Sequence, residues 1–234
     1  MKRTKIKHKK ETNNKKIIFL FLSIILITGI IFYVFFNKNK AKVSKIGNNS
    51  TSQEIVNYIL NISSYELTAD VTVYSNRNNN KYKIKQIYEG TEKNSQEVLE
   101  PSNIQGVKII REGNKLTLQN TNLNLTSVLE NYQYLAENCL DLSSFIEDYK
   151  KDENATIREE DNQIILETQS QTTNSNIKNK VLKIDKSTGN PLNLEIKGTN
   201  QKTTIYILYN EVKITSNENE EELAFNLEMI ARQM

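Results

Sequence analysis

The chain has 234 residues and a formal net charge of +3, and 25% of its residues are charged. Its only histidine is His8 and its only cysteine is Cys139, which excludes an intrachain disulfide and, beyond residue 8, histidine-based nucleophile pairs and zinc sites. No Walker loop, dinucleotide fingerprint or G-x-S-x-G elbow occurs, so the sequence predicts no metal, no cofactor and no enzyme activity.

Residues 17–36, from Ile17 to Phe36, form the one long uncharged run in the sequence. At about 1.5 Å per residue, a helix of this length spans roughly 30 Å, the thickness of the hydrocarbon core of a bilayer. The apolar core of a cleavable signal peptide has only about 7–15 residues, and no small-residue cleavage site follows this run. We therefore predict a transmembrane helix that the mature protein keeps.

Basic residues on the two flanks predict the orientation of this helix. Residues 1–16 hold eight lysines and arginines, whereas residues 37–46 hold four lysines. Because the more basic flank stays in the cytoplasm, we expect a cytoplasmic tail at residues 1–16 and an extracytoplasmic domain beyond residue 37. The abundance of asparagine and lysine and the lack of tryptophan suggest a bacterium with an AT-rich genome, and hence the bacterial cell membrane.

The charge of the chain divides at this membrane segment. Residues 47–234 carry 19 basic and 27 acidic side chains, a net charge of −8, although the whole chain is basic. An acidic domain is repelled by nucleic acid and by the anionic surface of a bilayer. The sequence therefore argues against nucleic acid as a partner and leaves the single helix as the attachment to the membrane.

A polar linker at residues 37–50 leads to the first predicted element of the outer domain, a short helix. Thr51 and Glu54 have the spacing of a capping box. The apolar residues that follow are spaced for one face of a helix: Ile55, Tyr58, Ile59 and Ile62.

Five strands are predicted next, from alternating apolar and polar residues. The clearest alternation covers residues 65–73, and an asparagine-rich turn separates it from a second strand at residues 81–88. The other strands are predicted at residues 95–99, 107–111 and 115–119, and Pro101 ends the first of these because proline cannot donate to a ladder.

Two helices and a second group of strands complete the predicted domain. Helical spacing joins Val128 and Leu129 to Tyr132 and Leu135, and another helix is predicted at residues 142–149. Residues 217–234 are predicted to form a C-terminal helix. The later strands are predicted at residues 155–157, 163–168, 181–185, 192–197, 203–209 and 212–215.

These elements predict an α+β fold, in which an N-terminal transmembrane helix precedes one domain at residues 51–216. Hairpins at this spacing favour one curved antiparallel sheet, with helices covering its concave face. Three groups of acidic residues are candidates for acid–base chemistry. Each also has a structural explanation in such a fold: one lies in a turn, one flanks a helix, and one lies in the first turn of a helix. They are Glu159 to Asp161, Asp141 with Glu147 and Asp148, and residues 220–222.

Three short segments of the outer domain resemble a known family. The first is Tyr88-Glu89-Gly90 leading to Glu100-Pro101-Ser102-Asn103-Ile104-Gln105-Gly106-Val107, and the second is Glu112-Gly113-Asn114-Lys115-Leu116. The third is Lys183-Ile184-Asp185 with Pro191. Together they are similar to the LolA/LolB-like lipoprotein-carrier family, and within it to the clostridial spore germination lipoproteins typified by GerS, over roughly residues 50–216.

The resemblance implies an open half-barrel closed by helices and a non-catalytic role. The GerS group implies a partner in the envelope, such as the cortex amidase that marks spore peptidoglycan for germination, whereas LolA-type carriers imply a bound lipid chain or lipoprotein. The chain departs from the GerS group because it has no lipidated cysteine after the apolar segment. A third hypothesis, an envelope sensor, is weakest because 16 cytoplasmic residues are too few for a folded domain.

Two sets of residues are candidate binding sites. An open concave face would be lined by Tyr82, Ile84, Tyr88, Val107 and Ile109, unless these residues are simply core beneath the helices. Lys81, Lys83 and Lys85 form a basic stripe on the other face of one hairpin. That stripe either protects an exposed edge strand from pairing or docks an acidic surface of a partner.

Overall fold

The computed structural model of the chain describes residues 42–43, 46, 50–75, 77–130, 140–171 and 176–218. The chain divides into two compact units, residues 1–42 and 43–234, and all of these residues except Lys42 belong to the second unit. The predicted tail and transmembrane helix, with Ile17 and Phe36, lie outside the described residues. Within them, no helix is long and apolar enough to span a membrane.

Helices and strands account for most of the described residues. The helices are α1 (Ser52–Leu60) and α2 (Leu142–Lys151). The strands, in chain order, are β1 (Lys42–Val43), β2 (Ile62–Tyr74), β3 (Asn79–Glu89), β4 (Lys93–Glu100), β5 (Val107–Glu112), β6 (Lys115–Asn120), β7 (Leu125–Leu129), β8 (Thr156–Glu160), β9 (Gln163–Gln169), β10 (Asn179–Asp185), β11 (Pro191–Lys197) and β12 (Thr203–Glu218).

Strands β2 to β12 lie in one open sheet. Their order across it is β7-β6-β5-β4-β3-β2-β12-β11-β10-β9-β8, and every neighbouring pair is antiparallel. Strands β2 and β12 join the two halves, and α2 lies in the connection between the two outermost strands, β7 and β8. The predicted antiparallel sheet is confirmed, and the described part of its middle connection contains one helix, α2.

The start of α1 has the predicted capping box. The backbone N–H of Thr51 donates to Glu54 Oε2 at 2.7 Å, and the backbone N–H of Glu54 donates to Thr51 Oγ1 at 3.3 Å. These two bonds satisfy donors that the first turn of a helix otherwise leaves free. The helix then buries Ile55, Val56 and Ile59 against the sheet.

One face of the sheet, the inner face, packs against both helices. Its buried residues include Leu67 in β2, Leu182 in β10 and Ile207 in β12, which surround Phe145 and Tyr149 of α2. The core lies on the inner face of β2, β3 and β9 to β12. Among the described residues, strands β4 to β7 contribute no fully buried side chain to it. The helices therefore cover one part of the inner face and leave another part open.

Two predicted elements differ from the structure. Val128 and Leu129 lie in strand β7 and not in a helix, because residues 125–129 pair along their whole length with β6; Tyr132 and Leu135 lie outside the described residues. The two strands predicted at residues 203–209 and 212–215 are one strand, β12, whose register shifts between Asn210 and Lys213. This strand continues to Glu218, two residues into the segment predicted as the C-terminal helix.

Candidate functional site

A cavity of about 230 Å³ opens on the inner face beyond the helices. We call it the trough. All of its lining side chains are apolar or aromatic except Gln96 and Glu97. The lining comprises Val71, Val73, Tyr82, Ile84, Gln96, Glu97, Val98, Ile104, Val107, Ile109 and Leu140.

The floor of the trough follows from strand register. Ile84 of β3 lies opposite Ala69 of β2 and Val98 of β4, and Ile109 of β5 lies opposite Gln96. Residues that lie opposite one another in a sheet share a face, so these side chains all point inward. Alternation in four neighbouring strands therefore builds one continuous apolar surface.

The loop between β4 and β5 supplies one side of the trough. It is closed by bonds from Gly106 N to Val98 O at 2.9 Å and from Val107 N to Ile104 O at 3.2 Å, which bring Ile104 over the strands. Gly106 has φ +80°, and a Cβ placed there would lie 2.3 Å from Thr121 Oγ1. Glycine is strongly favoured at this turn, because both the backbone angle and the close Thr121 hydroxyl disfavour a Cβ.

Leu140 reaches the trough because the start of α2 is held by polar side chains of the sheet. Gln86 Nε2 donates to the carbonyl of Leu140 at 2.9 Å. Arg111 Nη2 lies 2.5 Å from Asp141 Oδ2, and Gln96 Nε2 donates to the other oxygen of this carboxylate. Burial raises the pKa of Asp141, and Arg111 opposes that shift.

The rest of α2 is fixed by two further carboxylates. Lys180 Nζ of β10 lies 2.7 Å from Asp148 Oδ2 and donates to Ser144 Oγ at 2.9 Å. At the end of the helix, Asp152 Oδ2 accepts from Thr168 Oγ1 at 2.9 Å and from Gln169 N at 2.6 Å. Three acids thus hold α2 across the inner face, with its first residues next to the trough.

A second cavity, of about 270 Å³, lies at the end of α1 beside α2. Its lining mixes polar and apolar groups, among them Ser63, Tyr88, Ile146, Glu147 and Lys150. The ring of Tyr88 stacks on Tyr65 with centroids 5.1 Å apart, which holds it at this place. Tyr88 therefore belongs to a different cavity from the other predicted lining residues.

The structure brings four of the five predicted lining residues together. Tyr82, Ile84, Val107 and Ile109 line the trough, and Tyr88 does not. Sequence reasoning missed Ile104 and Leu140, which reach the trough from a loop and from the residue before α2. It also missed the buried contacts of Arg111 and Lys180, since charged residues in strands are usually exposed.

The basic stripe lies on the outer face, opposite the trough. Its strand, β3, lies between β2 and β4, so the expectation that these lysines protect an exposed edge is wrong. Lys85 Nζ lies 2.7 Å from Glu66 Oε1, and this bond raises the pKa of Lys85. Lys83 lies opposite Asp70 in β2 and Glu100 in β4. Acidic neighbours on both adjacent strands interrupt the positive charge of the stripe.

Several of the candidate acidic groups have structural partners. Glu159 accepts from Ser52 Oγ at 2.6 Å and from Lys186 Nζ, and these bonds lower its pKa. Asp141 and Asp148 bind Arg111 and Lys180 as described above. Among the described residues, no group of three or more His, Cys, Asp or Glu side chains is placed to hold a metal ion. Residues 220–222 lie outside them.

Comparison with protein-family models and with curated proteins finds no match. Several solved structures are similar to this chain. One of them is a chain in the complex of the CwlD amidase with the GerS lipoprotein from Clostridioides difficile. It is 23% identical over 70% of this chain and 95% of its own length, with a TM-score of 0.45. A LolA superfamily protein from Nitrosomonas europaea is 12% identical over 74% and 97% of the two chains, with a TM-score of 0.39.

A chain of the MucA/MucB complex from Pseudomonas aeruginosa is 12% identical over 73% of this chain and 59% of that chain, with a TM-score of 0.39. These neighbours include the two groups with which the sequence motifs were compared, the LolA superfamily and GerS.

Proposed function

We propose that this protein is a non-catalytic binding protein, anchored in a bacterial cell membrane by residues 17–36, whose extracytoplasmic domain binds an apolar segment of a partner protein. The trough is the observation that carries this proposal. It is a preformed apolar cavity that the helices leave open, and its lining offers a ligand contacts with aliphatic side chains from four strands.

The size of the trough favours a side-chain anchor over a whole small molecule. Sites for drug-sized ligands usually have about 300–1,000 Å³, whereas the trough has about 230 Å³. A cavity of this size holds one or two large side chains. Protein interfaces commonly gain most of their affinity from a few such anchors in desolvated pockets.

The surroundings of the trough support binding without catalysis. The lining residue Glu97 is paired with Lys108, whose Nζ lies 3.9 Å from its Oε2. The buried carboxylate of Asp141, next to the trough, has both oxygens engaged by Arg111 and Gln96. A general base needs a free oxygen in reach of a substrate proton. These contacts give Asp141 a structural role in holding α2.

The resemblance of residues 50–216 to the GerS group motivates a finer proposal. On that resemblance, the partner is a cell-wall amidase and the process is cortex modification in the spore envelope. The transmembrane helix proposed here would keep the domain on the same side of the membrane as a lipid anchor does.

The experiment is capture of partners by the full-length protein, solubilised in detergent from its own envelope. Ile109→Glu places one negative charge inside the trough. Lys83→Glu is the control, because it changes the net charge by two on the outer face. We expect Ile109→Glu to reduce partner recovery at least tenfold and Lys83→Glu to leave it within twofold. Equal recovery by Ile109→Glu and the unchanged chain, with both folded by circular dichroism, would exclude the trough as the binding site.

A bound lipid chain is the second candidate. It is favoured by the exposed leucines Leu118 and Leu125, because they continue the apolar surface along the inner face beyond the trough. Extraction and mass spectrometry of the same purified material distinguish the two candidates. A stoichiometric lipid that is lost in Ile109→Glu supports lipid binding in the trough. Recovery of a partner protein with no bound lipid supports partner binding.

A further inference from the structure

One of the two edges of the sheet lacks the features that normally keep an edge strand from pairing. Strand β7 is the last strand in the order on its side, and its sequence is Leu-Thr-Ser-Val-Leu. All five residues are exposed, with Leu125 at 61% and Leu129 at 45%. The strand has no lysine, no other charge and no proline, which are the usual protections of an edge.

The opposite edge has these protections. Strand β8 carries Arg158, Glu159 and Glu160 in five residues. Arg158 Nε lies 2.9 Å from Glu160 Oε1, and Glu159 is bonded to Ser52 and Lys186. A second chain that paired with β8 would have to displace or desolvate these charges. The two edges of one sheet therefore differ in how readily they accept another strand.

Within the part of the chain that the structure describes, strand β7 forms a ladder on one side only. Across the described residues, its backbone hydrogen bonds go to β6, in a register that places Ser127 opposite Leu118. In an antiparallel ladder each strand directs alternate N–H and C=O groups to the other side. Those groups on β7 are the ladder positions that a further strand would use.

We propose that β7 pairs antiparallel with β7 of a second copy of this chain, about a two-fold axis at Ser127. The sequence of the strand is matched to itself in this register. Leu125 lies opposite Leu129 of the second copy on the inner face, and Thr126 lies opposite Val128, which has nearly the same shape, on the outer face. Ser127 lies opposite itself, so two leucine pairs flank a central pair of serines.

Charge does not oppose this contact, although the outer domain is acidic overall. The nearest charged residue, Glu130, falls opposite Asn124 of the second copy, and Lys115 Nζ lies 4.0 Å from its carboxylate within its own chain. Like charges placed directly opposite each other destabilise a strand pair, and this register has none. A shift of the pairing by one residue would move the leucines to opposite faces.

The size of the contact predicts how it behaves. Five residue pairs bury much less than the roughly 800 Å² per partner of a stable interface, so the free domains would associate weakly. Two copies held in one membrane have a raised effective concentration, which favours the pair without any new contact. The pairing would cover Leu125 and Leu129 and make the inner faces of two sheets continuous.

Cysteine cross-linking in native membranes tests the register of this contact. The full-length protein is used with Cys139→Ser, so that each introduced thiol is the only one. Opposed residues have Cβ atoms about 4.5–5.5 Å apart, within reach of a short thiol cross-linker. Residues 125 of the two copies would be about 13 Å apart, four residues along the strand at 3.3 Å each.

We expect Ser127→Cys to cross-link to itself and Leu125→Cys to cross-link only when co-expressed with Leu129→Cys. A separate outer-face pair, Thr126→Cys co-expressed with Val128→Cys, reports on substitutions at the axis. Ser127→Lys places two positive charges there and should reduce cross-linking of this pair at least tenfold. Ser127→Thr is the control and should not reduce it. No cross-link at Ser127→Cys, equal cross-linking at all positions, or a cross-link to a different protein only, would each overturn the proposal.

Discussion

Replacement of Lys180 by methionine should destabilise the outer domain strongly, because it breaks a buried ion pair from one side. The Lys180 side chain is 1% exposed, and its Nζ lies 2.7 Å from Asp148 Oδ2 and 2.9 Å from Ser144 Oγ. Methionine fills the space of the aliphatic stem but leaves Asp148 buried without its cation. Removal of one partner from such a pair costs about 3–5 kcal/mol. That is a large part of the 5–15 kcal/mol that stabilises a typical domain.

Urea denaturation of residues 43–234, followed by circular dichroism, measures this cost. A double variant, Lys180→Met with Asp148→Leu, should recover most of the loss, since replacing both charges by apolar groups is often neutral. Lys213→Met is the matched control, because Lys213 is 76% exposed and 3.8 Å from Glu66. Its cost should stay below about 1 kcal/mol. A loss below 1 kcal/mol in Lys180→Met would refute the inference that this pair fixes α2 to the sheet.

Gly106→Ala should lower the free energy of unfolding by at least about 2 kcal/mol, because of strain at positive φ and overlap with Thr121 Oγ1. Gly113→Ala is the control: Gly113 has φ +55°, but no atom lies within 4 Å of the new Cβ, so the loss should be about 1 kcal/mol. Equal costs would show that the space at Gly106 is unimportant. The Asp185 carboxylate accepts from the Ser187 hydroxyl at 2.5 Å and from the N–H groups of Ser187 and Thr188, both at 2.9 Å, and these hydrogen bonds lower its pKa. Because its folded pKa is below its unfolded value, this stabilisation is present above pH of about 4 and is lost as the pH falls through the folded pKa. The stability difference between the unchanged chain and Asp185→Ala should therefore be larger at pH 7 than at pH 2.5, and an unchanged difference would contradict it.

The central hairpin and α1 could be predicted from the sequence because local pattern and burial agree there. Residues 65–73 alternate between a buried and a solvent face, and β2 has that alternation in the structure. Thr51 and Glu54 are three residues apart, so their contact is decided locally. Four lining residues of the trough were predictable for the same reason, since they occupy alternate positions in β3 and β5.

The contacts that position α2 could not be predicted, because they join residues far apart in the sequence. Arg111 and Asp141 are 30 residues apart, and Lys180 and Ser144 are 36 apart. Each depends on strand order, which local pattern does not determine. From the sequence alone, a lysine within a strand is expected to face solvent. The register of Lys180 with Ile196 and Thr168, which places it on the inner face, is known only from the folded sheet.

Strand β7 was mistaken for a helix for a related reason. Val128 and Leu129 match helical spacing with later residues, but Leu-Thr-Ser-Val-Leu is equally compatible with a strand. Five-residue pairing with β6 decides between the two, and that pairing exists only in the folded sheet. Tertiary context overrides local preference most readily in such short segments.

Site-specific photo-cross-linking in the intact envelope tests the trough most directly. A photoreactive amino acid at Ile104, which overhangs the trough, is compared with the same group at Lys83 on the outer face. We expect one predominant protein adduct from position 104, none from position 83, and loss of the adduct when Ile109→Glu is added to the same chain. Adducts of equal yield from both positions, or an adduct that survives Ile109→Glu, would contradict the claim that this protein binds its partner through the trough.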